Sequence, residues 1–256
     1  MPKSLPVESI ADFVKTVCEI RDRWTGGGYF DPWFRGQQDA SWSLRPGLYR
    51  LDLEEDEEEI RSEFQRRGLQ LVGDREPRNE WEWYFLMQHH GAPTRLLDWT
   101  DSALVGLFFA LNSFRPGSNV PDVDAAVWML DPWWLNGLAI RLKTIVLTDW
   151  DEAKPYLPRL YEGSLRRRLP LAIDPPHVAR RVSVQRSRFT IHGTEPDGLS
   201  KLARRRASRL VKITIPRQSL LRMRNDLFTC GITDTTVFPD LEGLARELSR
   251  FYTEDW

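Results

Sequence analysis

The chain has 256 residues, 41% hydrophobic and 29% charged, with a formal net charge of −1. That length suits one domain with insertions, and that composition a globular fold; collagen, coiled-coil and wholly disordered classes are excluded. No run approaches the roughly 18 apolar residues of a membrane span.

The elements are read in chain order. Val7 to Trp24 reads as a helix, with Ile10, Phe13, Val14, Val17 and Ile20 on one stripe, stopped by Gly26-Gly27-Gly28. Tyr29 to Gln38 reads as a strand despite Pro32. Glu57 to Leu71 and Asn79 to His90 read as helices, the second broken by Gly91-Ala92-Pro93. Leu96 to Thr100 is extended or turning, and Thr100 or Asp101 is placed to cap an apolar helix over Ser102 to Asn112. Ala125 to Leu130 reads as a buried strand. Trp133 to Pro176 carries no clear pattern. Val182 to Val184, Phe189 to His192 and Leu210 to Ile215 are strand candidates. Pro216 opens a helix that ends before Gly231, Thr235 to Phe238 is a short strand, and Leu241 to Phe251 a closing helix. Strands and helices mix without strict βαβ alternation, which predicts an α+β fold.

Charge is balanced overall but not locally. From Arg159 to Arg224 seventeen Lys and Arg face four Asp and Glu, a local balance of +13, so the remainder carries −14. Asp52 to Glu63 holds eight acids and one arginine, and reads as a solvated face. Arginine outnumbers lysine thirty to six, and arginine grips phosphate bidentately. Arg166, Arg167, Arg168, Arg204, Arg205 and Arg206 are therefore candidate polyanion contacts, for nucleic acid or an acidic protein. Cys18 and Cys230 are far apart, and there are only four histidines. We expect no disulfide framework, no metal and a reducing, cytoplasmic setting. The N-terminus lacks the apolar core of a secretory signal. No Walker loop, dinucleotide-binding glycine fingerprint or Gly-x-Ser-x-Gly elbow is present.

Three constellations carry candidate chemistry. In Trp33-Phe34-Arg35-Gly36-Gln37 an arginine ends an apolar strand, where leaving it unpaired is costly. It either pairs with a carboxylate, Asp98 being the obvious one, or faces a cleft and takes an anion. Gln88 to Thr100 concentrates polar groups, among them His90, Thr94, Arg95 and Asp98, just before a helix N-terminus that favours an anion. His89 and His90 are adjacent and so point in different directions. Gly231 to Glu242 brackets a short strand with Asp234, Asp240 and Glu242. Asp240 suits a helix cap, whereas Asp234 has no obvious structural task.

Together these segments resemble the FRG domain family, named for the motif present here as Phe34-Arg35-Gly36. Ser41 to Arg50, Gln88 to Thr100, Ala103 to Ala110, Gln185 with Phe189-Thr190, and Gly231 to Ala245 extend the resemblance. The motif layout is in turn similar to ADP-ribosyltransferase-like folds. That similarity implies two small, mainly antiparallel sheets forming a cleft, flanked by helices. Residues 1–28 would be an N-terminal helix packed on a single domain, 29–251, with a basic insertion around 133–210. It also implies NAD as substrate and no metal. Arg35, with Gly36 and Gln37, would hold phosphates or ribose, helped by His90, Thr94, Arg95 and Asp98. Trp99 and Thr100 would form a wall, and Asp234 would be the catalytic carboxylate. Since Glu is expected there, Glu242 or Asp240 are alternatives. A carboxylate would stabilise the oxocarbenium character that develops as the nicotinamide–ribose bond breaks. The expected function is thus an NAD-consuming enzyme, transferring ADP-ribose to a macromolecule or to water, in a bacterial anti-phage or toxin-like role. The alternative is a non-catalytic nucleotide or nucleic-acid binding module; a nuclease using His89 or His90 ranks last.

Overall fold

The computed structural model describes residues 4–26, 31–73, 76–112, 122–157, 167–174, 186–205 and 207–253. The chain runs β1 (Ser4–Pro6), α1 (Ile10–Thr25), β2 (Trp33–Gln37), α2 (Gly47–Arg50), α3 (Glu57–Gly68), α4 (Glu80–His89), β3 (Leu96–Thr100), α5 (Ala103–Leu111) and β4 (Ala125–Leu130). It continues with α6 (Pro132–Ala139), β5 (Val146–Leu147), β6 (Leu171–Asp174), β7 (Ser187–Ile191), α7 (Gly198–Ala203), β8 (Leu210–Ile215), α8 (Leu220–Thr229), α9 (Asp234–Val237) and α10 (Leu241–Thr253).

Local chemistry accounts for the main helices. The Ser9 hydroxyl accepts the Asp12 N–H at 3.1 Å to start α1, and Gly26 ends it in the left-handed region at φ 66°. Asn79 caps α4 by accepting the Glu82 N–H at 3.0 Å. Ser102, one residue beyond the expected caps, starts α5 by accepting the Val105 N–H at 3.4 Å. Thr100 instead accepts the Ser102 N–H at 3.1 Å, which shapes the turn out of β3.

The described strands form one eight-stranded sheet in the order β1-β8-β4-β2-β3-β7-β6-β5. The outermost pairs, β1 with β8 and β5 with β6, are parallel; all others are antiparallel. Two sheets were expected, and the fold is a mixed α/β one with a single open sheet. The reason is the seam between β2 and β3. It is closed by one register pair, Phe34 with Thr100. By contrast β2 pairs along its whole length with β4, Trp33 to Gln37 against Leu130 to Ala126, and β3 does the same with β7.

The core follows this layout. One cluster joins Phe13, Val17 and Ile20 of α1 to Phe34 of β2, Phe108 of α5 and Met223 of α8. A second unites Trp33, Trp99, Trp128 and Leu210 with Leu199 and Leu202 of α7. A third sets Trp81, Tyr84 and Met87 of α4 against Leu96, Ile173 and Phe189. Every residue of β4 is buried, which explains its unbroken apolar sequence.

Several expectations differ from the structure. The strand expected over Thr235 to Phe238 is helix α9, opened by a capping box between Thr233 and Thr236. The unread stretch Trp133 to Pro176 contributes α6, β5 and β6. The strand expected over Val182 to Val184, and residues 29 and 30 of the first strand, lie outside the described residues. β1 was not foreseen, because three residues give no usable alternation. Among the described residues no helix is long and apolar enough to cross a membrane.

Candidate functional site

The alternation of β2 sends Arg35 and Gly36 to opposite faces. At Gly36 a Cβ would lie 2.3 Å from the Gly106 carbonyl oxygen and 2.4 Å from the Ala110 nitrogen. Glycine therefore lets the α5 backbone lie directly against the strand. Arg35 is left to reach across the seam. Its Nη1 donates to the Asp98 carbonyl oxygen at 2.8 Å, and the Asp98 carboxylate stands 3.8 Å away.

A cleft of about 350 Å³ opens here, lined among others by Arg35, Arg50, Gln88, Pro93, Leu97 and Asp98. Three local features assemble it. Gly91, at φ 77°, ends α4 and turns the chain toward β3. The Leu48 N–H donates to the Thr94 carbonyl at 3.1 Å, tying α2 to that turn. Tyr49 is buried, and its hydroxyl donates to the Gly193 carbonyl. These ties hold Arg50 at the rim.

The cleft is electropositive. Burial lowers the Arg35 pKa; Asp98 counters this and Arg50 adds to it, because two guanidinium groups face one space. Arg35 Nε is buried and without a hydrogen-bond partner. The Arg50 side chain makes no ion pair among the described residues. Among the described residues Asp98 is the only carboxylate on the lining, and its side chain is 54% exposed. Gln88 Nε2 donates to Asp98 Oδ2 at 2.8 Å, and the Thr94 hydroxyl donates to Gln88 Oε1.

Behind the cleft lies a second charged layer. Arg95 Nε donates to both Glu57 oxygens, at 2.7 and 2.9 Å, while Nη1 donates to the His192 carbonyl at 2.8 Å and Nη2 to the Tyr156 carbonyl. Tyr84 donates to Glu57 at 2.7 Å and accepts the Arg95 N–H at 2.7 Å. Burial works against the Arg95 charge, but Tyr84 and Glu57 outweigh it and raise its pKa. His192 is fully buried; burial, with Arg95 second, pushes its pKa down to about 3, so the ring is neutral.

The residues expected at the site therefore separate. Arg35 and Asp98 meet on the cleft. Gly36 packs against α5. Gln37 accepts the Trp128 indole N–H at 2.7 Å and donates to the Ser43 carbonyl at 3.2 Å, so it holds the following loop. Trp99 donates to Thr190 at 3.0 Å and is buried, as are Thr94 and Thr100. Arg95 is spent on Glu57 and two carbonyls. His90 is exposed at the end of α4, its ring nearly perpendicular to that of His89. The α5 N-terminus lies past Thr100, whereas the cleft touches β3 at Leu96 to Asp98.

Neither Asp234 nor Glu242 lines this cleft. Asp234 is fully buried at the start of α9, 3.0 Å from Arg250 Nε. Burial raises its pKa, and Arg250 opposes that rise. Glu242 pairs with Arg246 on the surface of α10. Arg167, Arg168, Arg204 and Arg205 are exposed; Arg168 and Lys201 share Glu195, at 3.4 and 2.6 Å. Arg166 and Arg206 lie outside the described residues. Among the described residues no group of three or more His, Cys, Asp or Glu could hold a metal ion. Sequence reasoning missed Arg50 and gave Gln88 no role. Arg50 sat inside a recognised segment, but nothing local marked it as facing Arg35.

Residues 31–118, which carry β2, Arg35, Arg50, Gln88, Asp98 and α5, match the family model of the FRG domain. No curated protein and no solved structure matches the chain.

Proposed function

Taking as premise that this chain carries a domain of the FRG family over residues 31–118, we propose that it binds a nucleotide through its phosphates, in the cleft at the β2/β3 seam. One observation carries this reading: two arginines, one with a buried unpartnered Nε, face one half-exposed carboxylate. A phosphate would supply the negative charge that one carboxylate leaves short against two guanidinium groups.

NAD is the nucleotide we propose, and its cleavage the activity. The support is the resemblance in sequence motifs to ADP-ribosyltransferase-like layouts, of which Arg35 lies on the cleft, and the presence of Asp98 on the lining. Asp98, rather than Asp234 or Glu242, is the carboxylate beside the bound phosphates. In a cleavage step the bond between nicotinamide and ribose breaks, its electron pair leaves with nicotinamide, and Asp98 stabilises the cation left on the ribose. A water or an acceptor side chain then adds there and gives up its proton to solvent. An acidic or nucleic-acid acceptor would meet the exposed arginines at 167, 168, 204 and 205.

Incubation of the chain with NAD tests this, following free nicotinamide. Release that is lost in folded Arg35→Ala and Asp98→Ala variants and kept in Glu242→Ala supports the reading. Binding of NAD without release, even with nucleic acid or cell extract added, supports the non-catalytic nucleotide module. The absence of both binding and release contradicts it.

A further inference from the structure

The Asp98 carboxylate is not hydrogen-bonded to the neighbouring arginine. Arg35 Nη1 spends its bond on the Asp98 main-chain oxygen at 2.8 Å and stands 3.8 Å from the carboxylate, beyond hydrogen-bond range. The carboxylate is held instead by a relay from behind. The Leu96 N–H donates to Thr94 Oγ1 at 3.1 Å. Thr94 is fully buried, and its single proton goes to Gln88 Oε1. That fixes the Gln88 amide. Its oxygen faces Thr94, so its NH₂ faces Asp98 Oδ2, at 2.8 Å. The opposite orientation would set an amide oxygen against a carboxylate oxygen. Three residues thus aim a charged acceptor into a cleft whose other charged side chains are the guanidinium groups of Arg35 and Arg50.

A site for bare phosphate gains nothing from such an acceptor, which repels the ligand. A ligand with a phosphate and a neighbouring hydroxyl uses both. We infer that Asp98, positioned by Gln88 and Thr94, accepts a hydrogen bond from a sugar hydroxyl beside the bound phosphate, so that the cleft selects ribose-type sugar phosphates over inorganic phosphates. This inference rests on the nucleotide reading above. Asp98 is the group that touches ligand; Gln88 and Thr94 are positioning residues.

The test is calorimetric titration of the full chain with two probes, ADP-ribose and inorganic pyrophosphate. Asp98→Asn is expected to weaken ADP-ribose about tenfold or more, the scale of a lost hydrogen bond to a charged group, and to leave pyrophosphate binding unchanged or tighter. Gln88→Met is expected to weaken ADP-ribose several-fold and spare pyrophosphate, a selectivity that loss of folding would not produce. Thr94→Ser keeps the hydroxyl and should keep the wild-type ratio. If Asp98→Asn shifts both ligands by the same factor, Asp98 is only a counter-charge to the arginines and the inference is overturned, while nucleotide binding stands. If neither probe binds the wild-type chain, the nucleotide reading fails and takes the inference with it.

Discussion

Two arginine–aspartate pairs in this molecule behave in opposite ways. Arg250 and Asp234 lie 3.0 Å apart with side chains 7% and 0% exposed. Arg35 and Asp98 lie 3.8 Å apart, and Asp98 is half in solvent. The first pair locks α9 to α10 and encloses its charges. The second leaves its carboxylate open, on a cleft that a second arginine shares. A buried arginine marks a site when its carboxylate stays open on a cleft, and a brace when both partners are enclosed.

The largest effect should come from the closed pair. Asp234→Ala strands Arg250 in the interior, and we expect a loss of about 3 to 5 kcal/mol in urea unfolding. Ligand affinity of the folded protein should be unchanged. A variant of ordinary stability with lost ligand binding would break the comparison.

Next is the glycine beside the open pair. Gly36→Ala forces a methyl group against the α5 backbone, 2.3 Å from the Gly106 carbonyl oxygen. Unfolding experiments should show a loss of about 3 kcal/mol. An unchanged midpoint would mean that α5 does not rest on β2 as described.

The two sides also differ in the sign of their pH response. His192 has a folded pKa near 3 against an ordinary 6.5. The unfolded chain binds the extra proton between those values, so stability falls as pH drops below 6.5. At pH 5 the cost is about 2 kcal/mol, and His192→Gln should flatten that part of the curve. Asp234 acts in the other direction. Its pKa is raised in the folded state, so its contribution is fully present below its unfolded value of 3.8 and is lost as pH rises through the folded one. Calorimetric melting from pH 7 to 4 separates the two; a His192→Gln curve that superimposes on wild type would contradict the buried neutral imidazole.

The smallest effect belongs to the basic surface. Arg168→Ala and Lys201→Ala each remove an exposed partner of Glu195, and each should change stability by less than about 1 kcal/mol.

How much of this was legible follows from the range of each interaction. The α1 stripe, the apolar β4 run and the glycine breaks are local, and the sequence displays them. Arg35 could be singled out because an arginine in an apolar strand has few fates, and Asp98 could be named as its partner. The distance between them could not be read, and that distance decides between brace and site. Asp234 looked free of any structural task because its partner Arg250 sits on another helix and nothing local pairs them. The Thr235-Thr236-Val237 run suggested a strand by its β-branched residues, while the Thr233 cap made it a helix. The single sheet was equally out of reach, since it depends on one register pair, Phe34 with Thr100. Arg50 became part of the site through the ties of Leu48 to Thr94 and of Tyr49 to Gly193.

The central claim is that Arg35 is held open for a ligand phosphate. Calorimetric titration of ADP-ribose into the wild-type chain and into Arg35→Ala, with circular dichroism to establish that both are folded, tests it most directly. The account predicts saturable binding by the wild type and a loss of about a hundredfold in the variant, the scale of two charged hydrogen bonds. Equal affinity in the two proteins, or no binding by the wild type, would contradict it.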